Sequence, residues 1–195
     1  MRKLIFGMNV TLDGYIAATG DDLGWSVPSD ELFQWWSDRV GATGVSLYGR
    51  RLWEGMSSHW PTADQQPGVT PAHIEYARRW QDMPKVVFSS TIDKVDWNTR
   101  LVTGDAVAEI TRLKADDGGP MRVGGATLAG AAMRAGLVDE LERFVVPVVV
   151  GGGTPWLPAG LRLDLELLDE RRFGNGTVHL RHRVGATRSV TDGGR

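Results

Sequence analysis

The stretch Met121-Arg122-Val123-Gly124-Gly125-Ala126-Thr127-Leu128 decides how this chain is read. A short apolar strand runs into two glycines, and a helical pattern follows from residue 127 to 135. A strand that turns through glycine straight into a helix is the joint of an α/β sheet. Two glycines at that joint also let a phosphate approach the backbone amides of the helix start. The pair lacks the third glycine and the spaced acidic residue of a full dinucleotide fingerprint. Its weight depends on what the rest of the chain places around it.

Working outward, similar joints recur. Residues 4–10 read as a strand closed by the turn Asp13-Gly14, and residues 44–48 as a second strand broken by Gly49 ahead of a short helix at 52–56. Between them Ser29 opens a helix to residue 39, with Leu32, Phe33, Trp35 and Trp36 as its apolar face. A loop without readable pattern occupies 57–70, and Pro71 starts a helix to residue 80. Residues 85–89 and 100–102 are strands, and 105–115 has a helical period through Val107, Ile110 and Leu113. Residues 140–150 read as one long strand. Residues 161–173 and 177–184 form a hairpin through Gly174-Asn175-Gly176. The sum is an α/β chain with a mostly parallel central sheet and an antiparallel C-terminal hairpin. Residues 1–184 make one domain, and 185–195 read as a flexible polar tail.

Such sheets bind ligands at the carboxyl ends of their strands. Tyr48-Gly49-Arg50-Arg51 puts two guanidiniums at a helix start, which suits a phosphate and equally a solvated basic surface. Ser89-Ser90-Thr91 offers hydroxyls to a phosphate or ribose, and is also ordinary turn chemistry. With Gly124-Gly125, three phosphate-compatible joints stand in one chain. Near the N-terminus, Asp30 begins a helix behind Trp25, where a carboxylate beside aromatics can anchor or protonate a nitrogen heterocycle. By spacing alone, Asp30 serves the helix dipole and Trp25 the core.

Composition narrows the field. Of 195 residues 42% are hydrophobic, and Lys+Arg 22 against Asp+Glu 24 leave a net charge of -2, so no basic field draws nucleic acid. Cysteine is absent, which removes disulfides, thiolate nucleophiles and Cys-ligated metals and fits a reducing cytoplasm. His59, His73, His179 and His182 lack metal spacing, and His179 and His182 fall on opposite faces of a strand. No metal site is expected. No apolar run is long enough for a membrane span, and no signal segment precedes the first strand. No nucleophile elbow supports hydrolase chemistry.

The chain resembles the dihydrofolate reductase superfamily. It is most similar to the reductase domain of the bacterial bifunctional deaminase–reductase of riboflavin biosynthesis and its stand-alone relatives. The resemblance rests on Leu12-Asp13-Gly14-Tyr15-Ile16-Ala17, Tyr48-Gly49-Arg50-Arg51, the stretch 123–128, residues 146–155 with Gly151-Gly152-Gly153-Thr154-Pro155, and Gly174-Asn175-Gly176-Thr177-Val178. It implies a dihydrofolate-reductase-like three-layer fold and an NADPH-dependent reductase acting on a small heterocyclic or carbonyl substrate, in the manner of an aminopyrimidine or pteridine.

By that resemblance Arg50 and Arg51, beside Gly49, meet the 2′-phosphate, and Ser89, Ser90 and Thr91 surround the adenosine end. Gly124, Gly125, Ala126, Thr127 and Leu128 hold the pyrophosphate, and Ile16 and Ala17 line the nicotinamide. Trp25 to Asp30 matches the folate enzymes' Trp-x-x-Pro-x-Asp segment. Asp30 is then the acid, Asp13 the second candidate acid, and Trp25, Phe33 and Thr154 face the substrate. A cytoplasmic homodimer is implied as well. The chain departs from the folate enzymes at Leu52, where they carry a phosphate-binding threonine. It also lacks the bifunctional enzyme's deaminase half. A non-catalytic nucleotide-binding protein that kept the fold is the alternative.

Overall fold

The computed structural model describes the backbone of residues 1–189 and the side chains of residues 1–185. Ten strands and five helices follow one another: β1 (Leu4–Thr11), β2 (Tyr15–Ala18), α1 (Asp30–Gly41), β3 (Val45–Gly49), α2 (Arg50–His59), α3 (Pro71–Asp82), β4 (Lys85–Phe88), β5 (Thr99–Val102), α4 (Ala106–Ala115), β6 (Met121–Gly124), α5 (Ala126–Arg134), β7 (Glu140–Val146), β8 (Gly153–Pro155), β9 (Leu161–Arg172) and β10 (Val178–Ser189). Eight strands form one sheet in the order β5-β4-β3-β6-β1-β7-β10-β9. The run from β5 to β7 is parallel, and β10 and β9 are antiparallel.

Strand alternation divides the side chains between two cores. Leu4, Phe6 and Val10 of β1 join Val45, Leu47, Val123 and Leu141 under α4 and α5. Tyr48 and Val87 point the other way, into an aromatic core with Phe33, Trp53, Trp60 and Trp80. Helices therefore cover both faces, as buried parallel strands require. α1 closes the far end, where Leu32 meets Phe144 and Phe173. Trp53 stacks on Trp80 at 5.8 Å within the second core.

Three segments differ from the sequence reading. The strand expected over 140–150 ends at Val146, because Pro147 has no N–H to give the ladder. The patternless stretch 57–70 continues α2 and then winds into a 3-10 helix, Trp60–Gln65, with Pro61 in its first turn and Trp60 and Ala63 buried. Its core-facing residues are too few to show a period. The C-terminal strand passes the expected boundary at Val184 and runs to Ser189, with Thr187, Arg188 and Ser189 in register with Leu163, Arg162 and Leu161. Backbone hydrogen bonding to β9 orders this polar stretch where hydrophobic pattern cannot. The rest of the expected tail, residues 190–195, lies outside the described residues. Among those described, no helix is long and apolar enough to cross a membrane.

A two-stranded sheet of β2 and β8 was not foreseen. It sits at the carboxyl edge of the main sheet and shapes the site.

Candidate functional site

β4, β3 and β6 are neighbours, so the joints that follow them share one edge. Ser89, Ser90 and Thr91 follow β4, Gly49-Arg50-Arg51 follows β3, and Gly124 to Leu128 follows β6. Two helices begin there without a side-chain cap. The N-cap of α2 is Gly49 and that of α5 is Gly125, and neither carries a capping hydrogen bond. By contrast Ser29 and Asp105 cap α1 and α4 through Leu32 and through Val107 and Ala108. The first-turn amides of α2 and α5 are thus left for a ligand, and their partial positive charge favours an anion.

The two helix starts are close: a Cβ on Gly49 would stand 4.0 Å from Leu128 Cβ. Gly125 has φ +90°, a backbone state that suits glycine. Gly124 answers to packing, since a Cβ there would collide with Leu52 Cδ2. Leu52 fills the corner between α2 and the glycine joint. Arg50 and Arg51 are exposed at the start of α2, Arg50 bonded to Glu54 at 3.0 Å and Arg51 lying 3.8 Å from Asp21, which follows β2.

The second wall is β2–β8. Ala17 pairs with Thr154 and Ala18 with Gly153; Ile16 and Ala17 are buried and Thr154 half-buried. Gly153, at φ +141°, touches β2 so closely that a Cβ would collide with the Ala17 carbonyl oxygen. Asp13 pins the loop between β7 and β8, accepting from Gly151 N at 2.8 Å and Val150 N at 3.2 Å. The Thr11 hydroxyl, with the Gly151 and Val150 amides, holds the Asp13 carboxyl below its usual range. Its geometry is that of a clip between two loops.

The third wall is the start of α1. Asp30 is exposed and accepts from the Thr70 hydroxyl at 3.1 Å; Thr70 Oγ1 also lies 2.8 Å from His73 Nδ1. Asp30 is not buried beside Trp25, because α1 presents its first turn to solvent. Trp25 is half-buried and donates its indole N–H to the Asp22 carbonyl at 3.1 Å. Phe33 is buried, its ring 3.9 Å from that of His73.

Sequence reasoning missed Thr70, His73 and Asn9, whose amide donates to Ser26 Oγ at 2.6 Å. It also missed a charged row under α1 made by Arg122, Glu142 and His179. A partial signal existed for the row: Arg122 is the one charge in the short strand β6, whereas Glu142 shares β7 with Glu140 and Arg143 and does not stand out. Among the described residues no three His, Asp or Glu side chains converge as metal ligands.

Residues 2–179 match the RibD C-terminal domain, and the chain belongs to that family. The uncharacterized protein YyaP of Bacillus subtilis (strain 168) is 26% identical over 181 residues, covering 92% of this chain and 93% of that protein. Among solved structures, a Shewanella sp. PV-4 protein provisionally assigned to riboflavin biosynthesis superposes with a TM-score of 0.69 at 18% identity, over 94% of this chain and 99% of that one. Dihydrofolate reductase from Enterococcus faecalis, complexed with NADP(H), superposes with a TM-score of 0.61 at 16% identity, over 94% and 97%. The fold is dihydrofolate-reductase-like.

Proposed function

We propose that the protein is an NADPH-dependent reductase acting on a small heterocyclic or carbonyl substrate, similar in reaction to the reductases of riboflavin biosynthesis. One observation carries the reading. Two helix starts on adjacent strands keep their amides free of side-chain caps, and Arg50 and Arg51 are the first residues of one of them. That is a cradle for a molecule with several phosphates. Gly125 lets the backbone reach a pyrophosphate, and Ser89 to Thr91 extend the cradle along the edge. Ile16, Ala17 and Thr154 would face the nicotinamide end, with Trp25 and Phe33 on the substrate side. The cofactor supplies the hydride; the protein orients it and excludes water.

Asp30 keeps a place in this reading as a carboxylate in the first turn of α1, with Thr70 and His73 to relay a proton to it. Asp13 positions the loop before β8. Titration of tryptophan fluorescence with NADPH and NADH tests the cradle. NADPH is expected to bind at least tenfold more tightly through the 2′-phosphate, and equal affinities would remove Arg50 and Arg51 from that role.

A second reading has its own observation. Leu52 packs against Gly124 and, by the resemblance, stands where the folate enzymes carry a phosphate-binding threonine; that departure from the cofactor site favours a nucleotide-binding chain that kept the fold without the reaction. NADPH binding without oxidation by any pteridine or pyrimidine would favour it. We further propose a homodimer through the sheet edge, where β9 exposes Leu165 and Leu167. Light scattering at twice the chain mass is expected, and a monomer would rule the dimer out.

A further inference from the structure

On the sheet face under α1, charged side chains are sealed into the core. Glu142 of β7 and His179 of β10 are fully buried, with His179 Nε2 3.0 Å from Glu142 Oε1. Nη1 of Arg122, on β6, donates to Glu142 Oε2 at 2.6 Å. Gly7 of β1 leaves room for this pair: a Cβ there would stand 3.2 Å from Arg122 Nη1 and 3.3 Å from Glu142 Oε2. His179 Nδ1 is buried without a partner, and the ring packs on Trp35 and Phe144 at 4.7 and 5.0 Å. The ring proton therefore sits on Nε2 and is donated to Glu142. Burial pushes the Glu142 pKa up, but the His179 bond and the Arg122 charge outweigh it and hold the value at about 2. Glu142 is an anion that balances Arg122 from below.

A buried ion pair adds little stability over apolar residues of the same volume, so packing alone does not explain the row. What it supports is the free edge of Arg122. The Arg122 backbone pairs with Ile5, yet its Nη1 reaches Gly7, two residues nearer the carboxyl edge. Its side chain is 21% exposed while that of Glu142 is 0%. Among the described residues Nε and Nη2 have no protein partner, and neither is sealed from solvent. The next residue facing that way on β1 is Asn9, tied to Ser26 ahead of α1.

We propose that Arg122 is a substrate-recognition residue whose Nε–Nη2 edge forks onto two adjacent neutral acceptors of a planar heterocycle, a carbonyl oxygen beside a ring nitrogen. Glu142 and His179 are positioning residues that fix the plane of the guanidinium. A fork of two N–H donors matches a planar acceptor pair. Because Glu142 already balances the charge, the edge favours a neutral pair over a carboxylate or phosphate. The inference takes its location from the reductase reading and its chemistry from this row.

The test compares pterin, which has a carbonyl oxygen beside a ring nitrogen, with 2,4-diaminopteridine, in which an amino donor replaces that oxygen. Calorimetry is run with and without NADPH. The wild-type protein is expected to prefer pterin at least tenfold. Arg122→Met is expected to lose about 10- to 100-fold in pterin affinity, to bring the two probes within twofold, and to bind NADPH as before. Arg122→Lys does not restore the preference, since an ammonium cannot fork. If Arg122→Met leaves Glu142 too poorly partnered to fold, the uncharged double variant Arg122→Met/Glu142→Gln carries the same comparison.

A wild-type protein that binds NADPH but does not distinguish the probes overturns this inference and leaves the reductase reading standing. Discrimination through Arg122 without NADPH binding supports the inference and overturns that reading. Arg122-dependent binding of benzoate or inorganic phosphate tighter than that of pterin also overturns the inference, because the edge would then serve an anion.

Discussion

At Gly153 two constraints meet in one residue: a positive φ and a carbonyl oxygen where a Cβ would be. Gly153→Ala must either twist the backbone or push β2 away from β8. Strain of this kind costs about 1–3 kcal/mol, and the displaced residues are Ile16 and Ala17. Thermal unfolding is expected to fall, and NADPH affinity with it by at least tenfold; unchanged affinity would take β2 out of the site. Gly124 is different in kind, because the atom a Cβ would meet is the end of the Leu52 side chain, which can turn aside. Asp30 shows the limit of motif reading. Its place in Trp-x-x-Pro-x-Asp was legible, but its exposure and its tie to Thr70 were not, because Thr70 lies forty residues away in sequence.

At the scale of elements, α2 and α5 start without side-chain caps while α1 and α4 start with them. A capping side chain stabilises a helix over a glycine N-cap by about a few tenths of a kcal/mol, so two bare starts on adjacent strands give up a little stability at one edge. Gly49 has φ −75°, open to any residue, and space for a side chain. Gly49→Asp is therefore expected to raise the stability of the free protein by about 0.5–1 kcal/mol, from the cap and the helix dipole together, in thermal or denaturant unfolding. It should also weaken NADPH at least tenfold, since the carboxylate would occupy the amides and repel phosphate. If stability rises while affinity holds, the cradle lies elsewhere. The joints themselves were readable in sequence because glycine and hydroxyl residues directly follow apolar runs. β2 and β8 were not, since three or four residues carry too little pattern to mark a strand.

For the whole molecule, acid is the informative perturbation. Glu142 and Glu109 both have carboxyl pKa values held down to about 2, Glu142 by His179 and Arg122 against its burial, Glu109 by Arg112 and Arg100. Depressed carboxylates stabilise the fold above their unfolded value of 4.5 and lose that contribution as pH falls towards the folded one. The unfolding temperature is expected to hold from pH 7 to about 5 and to drop steeply towards pH 2. The buried Glu142 accounts for on the order of 3 kcal/mol of that drop. Glu142→Gln is expected to be less stable at pH 7 and to show a shallower acid slope; an unchanged slope would mean the row does not hold its charge.

What the sequence determined by itself is the order of the main-sheet strands and the helices between them, the glycine joints and the Ser29 cap. Each is set by neighbours within a few residues: apolar period, a missing Cβ, a hydroxyl three places before an amide. The tertiary structure alone decided which joints share an edge, that Asp30 faces water, and that Arg122, Glu142 and His179 meet across strands β6, β7 and β10. Those outcomes depend on strand order and on which side of the sheet each residue faces. A chain of alternating apolar and charged residues has the same local pattern whichever strands it comes to lie between.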